Sequence, residues 1–118
     1  MVKVLIVDDK PSISKLIFQI LSKSYDVAYK EDGLQAIAWL QAGNIPDLII
    51  TDLQMPNMDG FELIKRVKES GLFRDIPIVV VSSKDSSADR IKCLKMGADD
   101  YLIKPFNPEE LQIRVERI

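Results

Sequence analysis

Histidine is absent from this chain of 118 residues, and cysteine occurs only once. Without histidine, the chain cannot build a Ser-His-Asp or Cys-His nucleophile system or a His-ligated zinc site, and it cannot carry a phosphohistidine of its own. The single cysteine, Cys93, has no partner for an internal disulfide bond. Any chemistry that the chain performs therefore depends on other side chains.

A strong excess of charge and a long apolar run are also missing. Sixteen basic and 18 acidic residues give a net charge of −2, so no basic field attracts nucleic acid or anionic lipid, and we predict no direct nucleic-acid binding. No apolar run approaches the roughly 20 residues that a membrane span requires. The N-terminus, MVKVLIVDD, lacks the small-residue cleavage site of a signal peptide. We therefore expect a cytoplasmic protein without a membrane association.

The composition that remains is that of a globular domain. Hydrophobic residues make up 47% of the chain and charged residues 29%, with few glycines and prolines. A chain of this length can bury one core without disulfide or metal cross-links, so we predict a single domain over residues 1–118. The apolar pattern of the last predicted helix is still running at Ile118, which indicates a truncated helix or a missing C-terminal part.

Five short apolar segments are predicted to be β-strands. Nearly continuous runs of apolar and β-branched residues are typical of strands that are covered on both faces. In the fourth segment Pro77 stands near the start, where its missing N–H is harmless. The segments are KVLIV (3–7), DVAY (26–29), DLIIT (47–51), IPIVVV (76–81) and YLI (101–103).

Five longer segments that follow these strands have the apolar spacing of amphipathic helices. The second is expected to end at Gly43-Asn44, the third at Gly71 and the fourth at Gly97, and Pro108 begins the last. The predicted apolar faces consist of Ile13, Leu16, Ile17, Ile20 and Leu21; Leu34, Ile37, Ala38 and Leu40; Leu63, Ile64 and Val67; Ala88, Ile91 and Leu94; and Leu111, Val115 and Ile118.

A strand followed by a helix, five times over, predicts an α/β fold. We expect a doubly wound, five-stranded parallel sheet of the flavodoxin-like order 2-1-3-4-5, with helices on both faces. Ligands bind such folds at the carboxyl ends of the strands, where the strand order reverses. Asp8 and Asp9 close the first strand and Asp52 closes the third. If these strands are neighbours, about 4.8 Å apart, the three carboxylates converge on one edge.

Three close carboxylates repel one another, and a bound cation relieves that cost. Mg²⁺ suits the set because it prefers a few carboxylates plus waters. Each aspartate alone also has an ordinary interpretation. Asp8 or Asp9 could cap the first helix, and Asp52 could form a turn ahead of Pro56 and Gly60. The coincidence of both groups at corresponding strand ends favours a metal site.

Two further strand ends point to the same edge. The fourth strand finishes with Ser82-Ser83 and the fifth with Lys104-Pro105. Taken singly, the serines are ordinary cap or turn residues, and Lys104 is an ordinary surface lysine. Taken together, a hydroxyl and an ammonium that face a metal-bound carboxylate form an arrangement that binds a phosphoryl group.

Four segments together resemble the motif set of the receiver domains of two-component response regulators. They occur in the order and spacing of that family over essentially the whole chain. The resemblance implies a signalling domain, not a metabolic enzyme, that catalyses its own phosphorylation and slow dephosphorylation. The segments are VDD (7–9), DLQMPNMDG (52–60), IPIVVVSSK (76–84) and GADDYLIKPF (97–106).

The resemblance assigns Asp52 as the phospho-acceptor. Its carboxylate would attack the phosphorus of a phosphohistidine on a partner, which is a sensor histidine kinase or a histidine phosphotransfer protein. Mg²⁺ would be held by Asp9 directly, by Asp8 mainly through water, by Asp52 itself, and by the backbone carbonyl of Gln54. Phosphorylation would then shift a surface formed by helix four, strand five and helix five, where a homodimer or an output partner could bind.

The remaining roles implied by the resemblance lie on the fourth and fifth strands. Ser82 matches the switch Ser/Thr, and Lys104 matches the lysine that contacts the phosphate. Tyr101 matches an aromatic residue that changes rotamer with phosphorylation, although a tyrosine on an edge strand is ordinarily just a packed amphipathic ring. Pro105 implies a cis Lys-Pro bond that helps to aim Lys104.

The strongest alternative is a pseudo-receiver, which folds and binds partners without being phosphorylated. Other nucleotide or cofactor sites fit less well, because the chain contains neither G-x-x-x-x-G-K-[ST] nor G-x-G-x-x-G. The Asp8-Asp9 pair would also repel the phosphate of a flavin. A standalone regulator, the N-terminal part of a transcription factor and a receiver within a hybrid kinase all agree with these residues.

Overall fold

The predicted alternation of strands and helices is present in the computed structural model, which describes residues 2–83 and 87–118. Lys84, the last residue of the third motif segment, lies outside the described residues. No helix within these two ranges is long and apolar enough to cross a membrane. The strands are β1 (Lys3–Val7), β2 (Asp26–Lys30), β3 (Leu48–Thr51), β4 (Ile78–Ser82) and β5 (Asp100–Ile103), and the helices are α1 (Pro11–Leu21), α2 (Gly33–Gln41), α3 (Gly60–Glu69), α4 (Ser87–Lys95) and α5 (Pro108–Glu116).

The five strands form one parallel sheet in the order β2-β1-β3-β4-β5, which confirms the predicted topology. The central strand pair aligns Val7 of β1 with Thr51 of β3. The next residue along each strand, Asp8 and Asp52, therefore emerges at the same edge of the sheet. This edge lies between two neighbouring strands whose chains leave for different helices, where α/β folds place their ligands.

Alternate residues of the central strands divide the core into two layers. Leu5 and Ile49 contact the side that α2, α3 and α4 cover, whereas Ile6 and Ile50 contact the side that α1 and α5 cover. All four side chains are almost completely buried. Burying one such side chain contributes about 1.5–3 kcal/mol, so both layers hold the strand ends rigidly in register.

The helices end largely where the sequence indicates. Gly43 after α2 and Gly97 after α4 have φ values of +103° and +110°, the left-handed conformation in which glycine is favoured. Helix α3 ends before Gly71, because Ser70 already has extended backbone angles. Asn107 caps α5 by accepting hydrogen bonds from the backbone N–H groups of two glutamates in its first turn.

The buried faces of the helices differ from the predicted ones at several positions. In α4 the only fully buried side chain is Cys93, whereas Ile91 and Leu94 are about half exposed. A nine-residue helix offers more than one apolar stripe, and periodicity alone does not decide which stripe faces the sheet. In α1 and α2 the small residues Ser14 and Ala36 are among the buried side chains. The predicted face residues that are exposed instead are Leu16, Leu34, Ala38, Ala88, Ile91, Leu94 and Ile118, the last lying beyond α5.

Gly60 allows α3 to begin directly against the end of β3. Its backbone N–H donates to the carbonyl of Leu53 over 2.9 Å. A Cβ atom on Gly60 would lie 2.1 Å from the carbonyl oxygen of Asp52 and 2.8 Å from Cα of Leu53. Both atoms belong to the backbone, so they cannot move aside cheaply.

We predict that Gly60→Ala lowers the free energy of unfolding by about 2 kcal/mol or more, because the added methyl group overlaps this backbone. Gly71→Ala is the matched control, since a Cβ there meets nothing within 4 Å. That variant should stay within about 1 kcal/mol of the wild type, on the stabilising side. Urea denaturation followed by circular dichroism measures both, and equal midpoints for the two variants would contradict the prediction.

Candidate functional site

Three carboxylates converge at the edge where β1 and β3 end. Asp8, Asp9 and Asp52 each offer an oxygen, and these oxygens lie within 4.8 Å of one another. Asp8 and Asp52 are only 2% and 3% exposed, and Asp9 is partly exposed. The structure therefore brings together the three aspartates that the sequence predicts to converge.

The backbone ladder of the sheet continues into this cluster and fixes it. The backbone N–H of Asp52 donates to the carbonyl of Val7 over 3.0 Å, and that of Asp8 donates to the carbonyl of Lys30 over 3.1 Å. The Asp52 side chain is held in turn, because Oδ1 accepts the backbone N–H of Leu53 over 2.7 Å. Its other oxygen, Oδ2, lies within 4 Å of the ammonium groups of Lys10 and Lys104.

Neither ordinary interpretation of the aspartates describes what they do. The N-cap of α1 is Lys10, not Asp8 or Asp9. Asp8 accepts the backbone N–H of Lys10 through Oδ1 over 2.9 Å, and it directs Oδ2 toward the cluster. Asp52 is buried at the strand end and does not lie in an exposed turn. A structural role alone leaves the close approach of these negative groups unexplained.

Lys104 provides the main positive charge of the cluster. Its Nζ lies 2.9 Å from Oδ2 of Asp8 and 3.3 Å from Oδ2 of Asp52. The side chain is 9% exposed, so the three charges interact in a largely water-free environment, where ion pairs are strong and unpaired charges are costly. The Lys104–Pro105 peptide bond is cis, as the resemblance implies. The backbone N–H of Lys104 donates to the carbonyl of Ser82 over 2.8 Å.

Ser82 and Tyr101 form a buried polar pair on β4 and β5. Ser82 is fully buried at the end of its strand, and Tyr101 is 6% exposed. Burial raises the pKa of Tyr101, and a hydrogen bond with the Ser82 side chain partly offsets that rise. Tyr101 therefore stays protonated at neutral pH, with its ring already packed inward. Ser82 thus contacts both neighbours: its side chain hydrogen-bonds with Tyr101, and its carbonyl accepts the backbone N–H of Lys104.

The loop that follows Asp52 is fixed to the loop before α2. Asn57 has a φ of +67° and donates through Nδ2 to Oδ2 of Asp32 over 2.8 Å. Asp32 also caps α2 by accepting the backbone N–H of Gln35. That cap, and next the bond from Asn57, lower the pKa of Asp32, so this carboxylate stays charged through the neutral range. Gln54, which the resemblance assigns as a metal ligand through its carbonyl, lies in this loop with an exposed side chain.

The surroundings of one Asp9 oxygen indicate whether the cluster fits a metal ion. Oδ1 is buried, and it has no hydrogen-bond partner among the described residues. A buried carboxylate oxygen without a donor is costly, and native proteins rarely leave one so. An oxygen-preferring divalent cation would satisfy it together with the neighbouring oxygens of Asp8 and Asp52. The donor set therefore fits Mg²⁺.

Sequence reasoning missed one charged residue of the site. The Nζ of Lys10 lies 3.6 Å from Oδ2 of Asp52 and 3.9 Å from Oδ1 of Asp9. The only signal in the sequence is its position directly after the Asp8-Asp9 pair, and a lysine at the start of a helix is ordinarily a solvated surface charge.

The parallel sheet therefore carries an acidic cluster and a buried lysine together at the edge where its strand order reverses. The family model described as the response regulator receiver domain matches residues 4–116, and the chain belongs to that family.

Three similar proteins illustrate the range of the family. The sensor histidine kinase TmoS of Ectopseudomonas mendocina is 42% identical over 98% of this chain and 12% of its own length. The alkaline phosphatase synthesis transcriptional regulatory protein PhoP of Bacillus subtilis (strain 168) is 39% identical over 98% of this chain and 48% of its own. The structure of the chemotaxis response regulator CheY4 of Vibrio cholerae superposes with a TM-score of 0.91 at 36% identity, covering 99% of this chain and 98% of that one. The chain thus spans less than half of the two curated relatives.

We predict that Lys104→Met lowers the free energy of unfolding by about 3 kcal/mol in metal-free buffer, because two buried carboxylates lose their cation. Adding Asp52→Asn should restore part of that loss by removing one of the negative charges. Urea denaturation at pH 7 with a chelator measures the change.

Arg66→Ala is the control, since the Arg66–Glu62 pair on α3 lies 3.3 Å apart but is half exposed. Removing it should cost less than about 0.5 kcal/mol. A Lys104→Met variant as stable as Arg66→Ala would show that the buried charges do not depend on Lys104.

Proposed function

We propose that this receiver domain accepts a phosphoryl group on Asp52 in a Mg²⁺-dependent reaction. The donor would be the phosphohistidine of a sensor histidine kinase or of a histidine phosphotransfer protein. The observation that carries the proposal is the position of Asp52. Its Oδ1 is held by a backbone N–H, whereas Oδ2 lies 3.3 Å from the Lys104 ammonium and within the acidic cluster. One oxygen of a buried carboxylate is thus fixed and the other is presented to incoming phosphorus.

The reaction follows from these contacts. Oδ2 of Asp52 attacks the phosphorus, an O–P bond forms, and the P–N bond to the donor imidazole breaks. The electron pair stays on the imidazole nitrogen, which is then protonated. Lys104 moves from the carboxylate to the phosphoryl oxygens, because these carry the greater negative charge.

Asp8, Asp9, Asp52 and the backbone carbonyl of Gln54 would hold Mg²⁺, which supplies charge neutralisation to the phosphoryl oxygens when it is bound. The buried Oδ1 of Asp9 supports this assignment, since it has no hydrogen-bond partner in residues 2–83 and 87–118. Attack of water on the same phosphorus would slowly return the free carboxylate, so the domain resets itself.

The signal would leave the site through Ser82 and Tyr101. A hydroxyl drawn to the new phosphoryl oxygens changes its bond to Tyr101, whose ring packs beneath α4. The outer surface of α4 and α5 exposes Ile91, Leu94 and Ile113, each about half. We propose this surface, together with β5, as the site of homodimerisation or of an output partner. The location of the domain in the cytoplasm stays a prediction from the sequence.

We predict that incubation with a small acyl phosphate and Mg²⁺ adds about 80 Da to the wild-type chain, the mass of one phosphoryl group. Asp52→Asn should gain nothing, and a chelator should abolish the gain in the wild type. Intact-mass spectrometry at neutral pH measures all three samples. Asp47→Asn is a matched control, since Asp47 is an exposed carboxylate before β3, and it should be modified like the wild type.

Two results would contradict the proposal. A mass gain in Asp52→Asn equal to that of the wild type would show that another residue is the acceptor. No modification of the wild type by either the small donor or a phosphorylated histidine phosphotransfer protein would favour the pseudo-receiver, which folds and binds without phosphorylation.

We also predict that phosphorylation shifts the domain toward a dimer through the α4 and α5 surface. Replacing Ile91 and Leu94 with serine should weaken that association at least several-fold, because the apolar contact is lost. Leu16→Ser on α1, also partly exposed, is the control and should associate like the wild type. Sedimentation velocity measures the three chains. Association unaffected by the α4 changes would place the contact elsewhere.

A further inference from the structure

Lys10 places a second ammonium on the acidic cluster, in addition to the buried ammonium of Lys104. Its Nζ lies 3.6 Å from Oδ2 of Asp52 and 3.9 Å from Oδ1 of Asp9. Lys104 Nζ lies 3.3 Å from the same oxygen of Asp52 and 2.9 Å from Asp8, so Oδ2 of Asp52 is close to both ammonium groups. The two lysines thus share Asp52, while Lys104 also pairs with Asp8 and Lys10 also lies near Asp9.

The backbone of Lys10 is fixed, but its side chain is not. The Lys10 N–H donates to Oδ1 of Asp8 over 2.9 Å, and its carbonyl accepts from the backbone N–H groups of Ile13 and Ser14 at the start of α1. The side chain is 52% exposed, against 9% for Lys104. The ammonium can therefore leave the cluster for water at little cost, whereas its point of attachment stays beside the cluster.

The contacts of Lys10 are too long to satisfy the carboxylates. At 3.6 and 3.9 Å they lie outside the range of good hydrogen bonds, and Oδ1 of Asp9 is buried without a hydrogen-bond donor among the described side chains and backbone. Lys10 thus reduces the repulsion in the cluster but leaves the oxygen unsatisfied. A divalent cation binds such oxygens at about 2.1 Å and would repel an ammonium held between the same two groups.

We propose that Lys10 is a tethered counter-ion of the metal-free domain, which Mg²⁺ must displace from Asp9 and Asp52 in order to bind. The proposal rests on the metal binding proposed above and not on phosphoryl transfer. Lys10 stabilises the cluster when no metal is present, and the same contact lowers the affinity of this chain for Mg²⁺. Lys10, the residue after the acidic pair, then sets the Mg²⁺ concentration at which the metal site becomes occupied.

Calorimetric titration with Mg²⁺ at low ionic strength tests the proposal on the intact chain. Lys10→Gln should bind Mg²⁺ about three- to tenfold more tightly than the wild type, an effect that shrinks as salt screens the charges. Lys10→Arg keeps the charge and should stay close to the wild type. Lys15→Gln removes an equal charge from an exposed position on α1 and should change the affinity less than about twofold.

Thermal unfolding with a chelator gives a readout that does not involve the metal. Lys10→Gln should melt below both the wild type and Lys15→Gln, and saturating Mg²⁺ should remove that difference. Equal Mg²⁺ affinity of the wild type and Lys10→Gln, both folded, would overturn the counter-ion role and leave the proposed metal site intact. Absence of Mg²⁺ binding in every variant would overturn both.

Discussion

The structure depends on one buried interaction, the contact of the Lys104 ammonium with Asp8 and Asp52. Lys104 Nζ lies 2.9 and 3.3 Å from these two carboxylates, which are almost completely buried. Two negative charges at this depth are tolerable only with a cation between them. The strand order β2-β1-β3-β4-β5 makes that possible, because it places the ends of β1 and β3 side by side. The strand order therefore brings the carboxylates together, and Lys104 compensates their charge.

The same interaction is the start of the route that we propose for the signal. Lys104 is bonded through its backbone to Ser82, and Ser82 is bonded through its side chain to Tyr101. Under the proposed phosphorylation, a change of charge on Asp52 would alter what Lys104 and Ser82 can bind. Tyr101 would respond within a packed layer that has few alternative arrangements. The proposed change of charge would thus reach α4 without a large movement of the chain.

Much of this arrangement could be predicted from the sequence, for identifiable reasons. The strands β1 and β3 are nearly continuous apolar runs, and the aspartates that follow them, Asp8, Asp9 and Asp52, indicate the position of the acidic cluster. The buried face of α4 was not predictable, because Cys93 competes with Ile91 and Leu94 over only nine residues. The position of Lys10 depends on the exact path of the chain from β1 into α1. A lysine that follows two aspartates is indistinguishable in the sequence from a solvated charge.

The most direct test of Asp52 as the phospho-acceptor locates the phosphoryl group at one residue. Borohydride reduces an acyl phosphate to an alcohol, so reduction of the phosphorylated chain should convert Asp52 into homoserine. Lys15 and Lys30 separate Asp52 from Asp8 and Asp9 in the sequence, so the acceptor and the metal ligands fall on different tryptic peptides. We predict homoserine at position 52 and at neither of the other two aspartates. Homoserine at position 8 or 9 would contradict it.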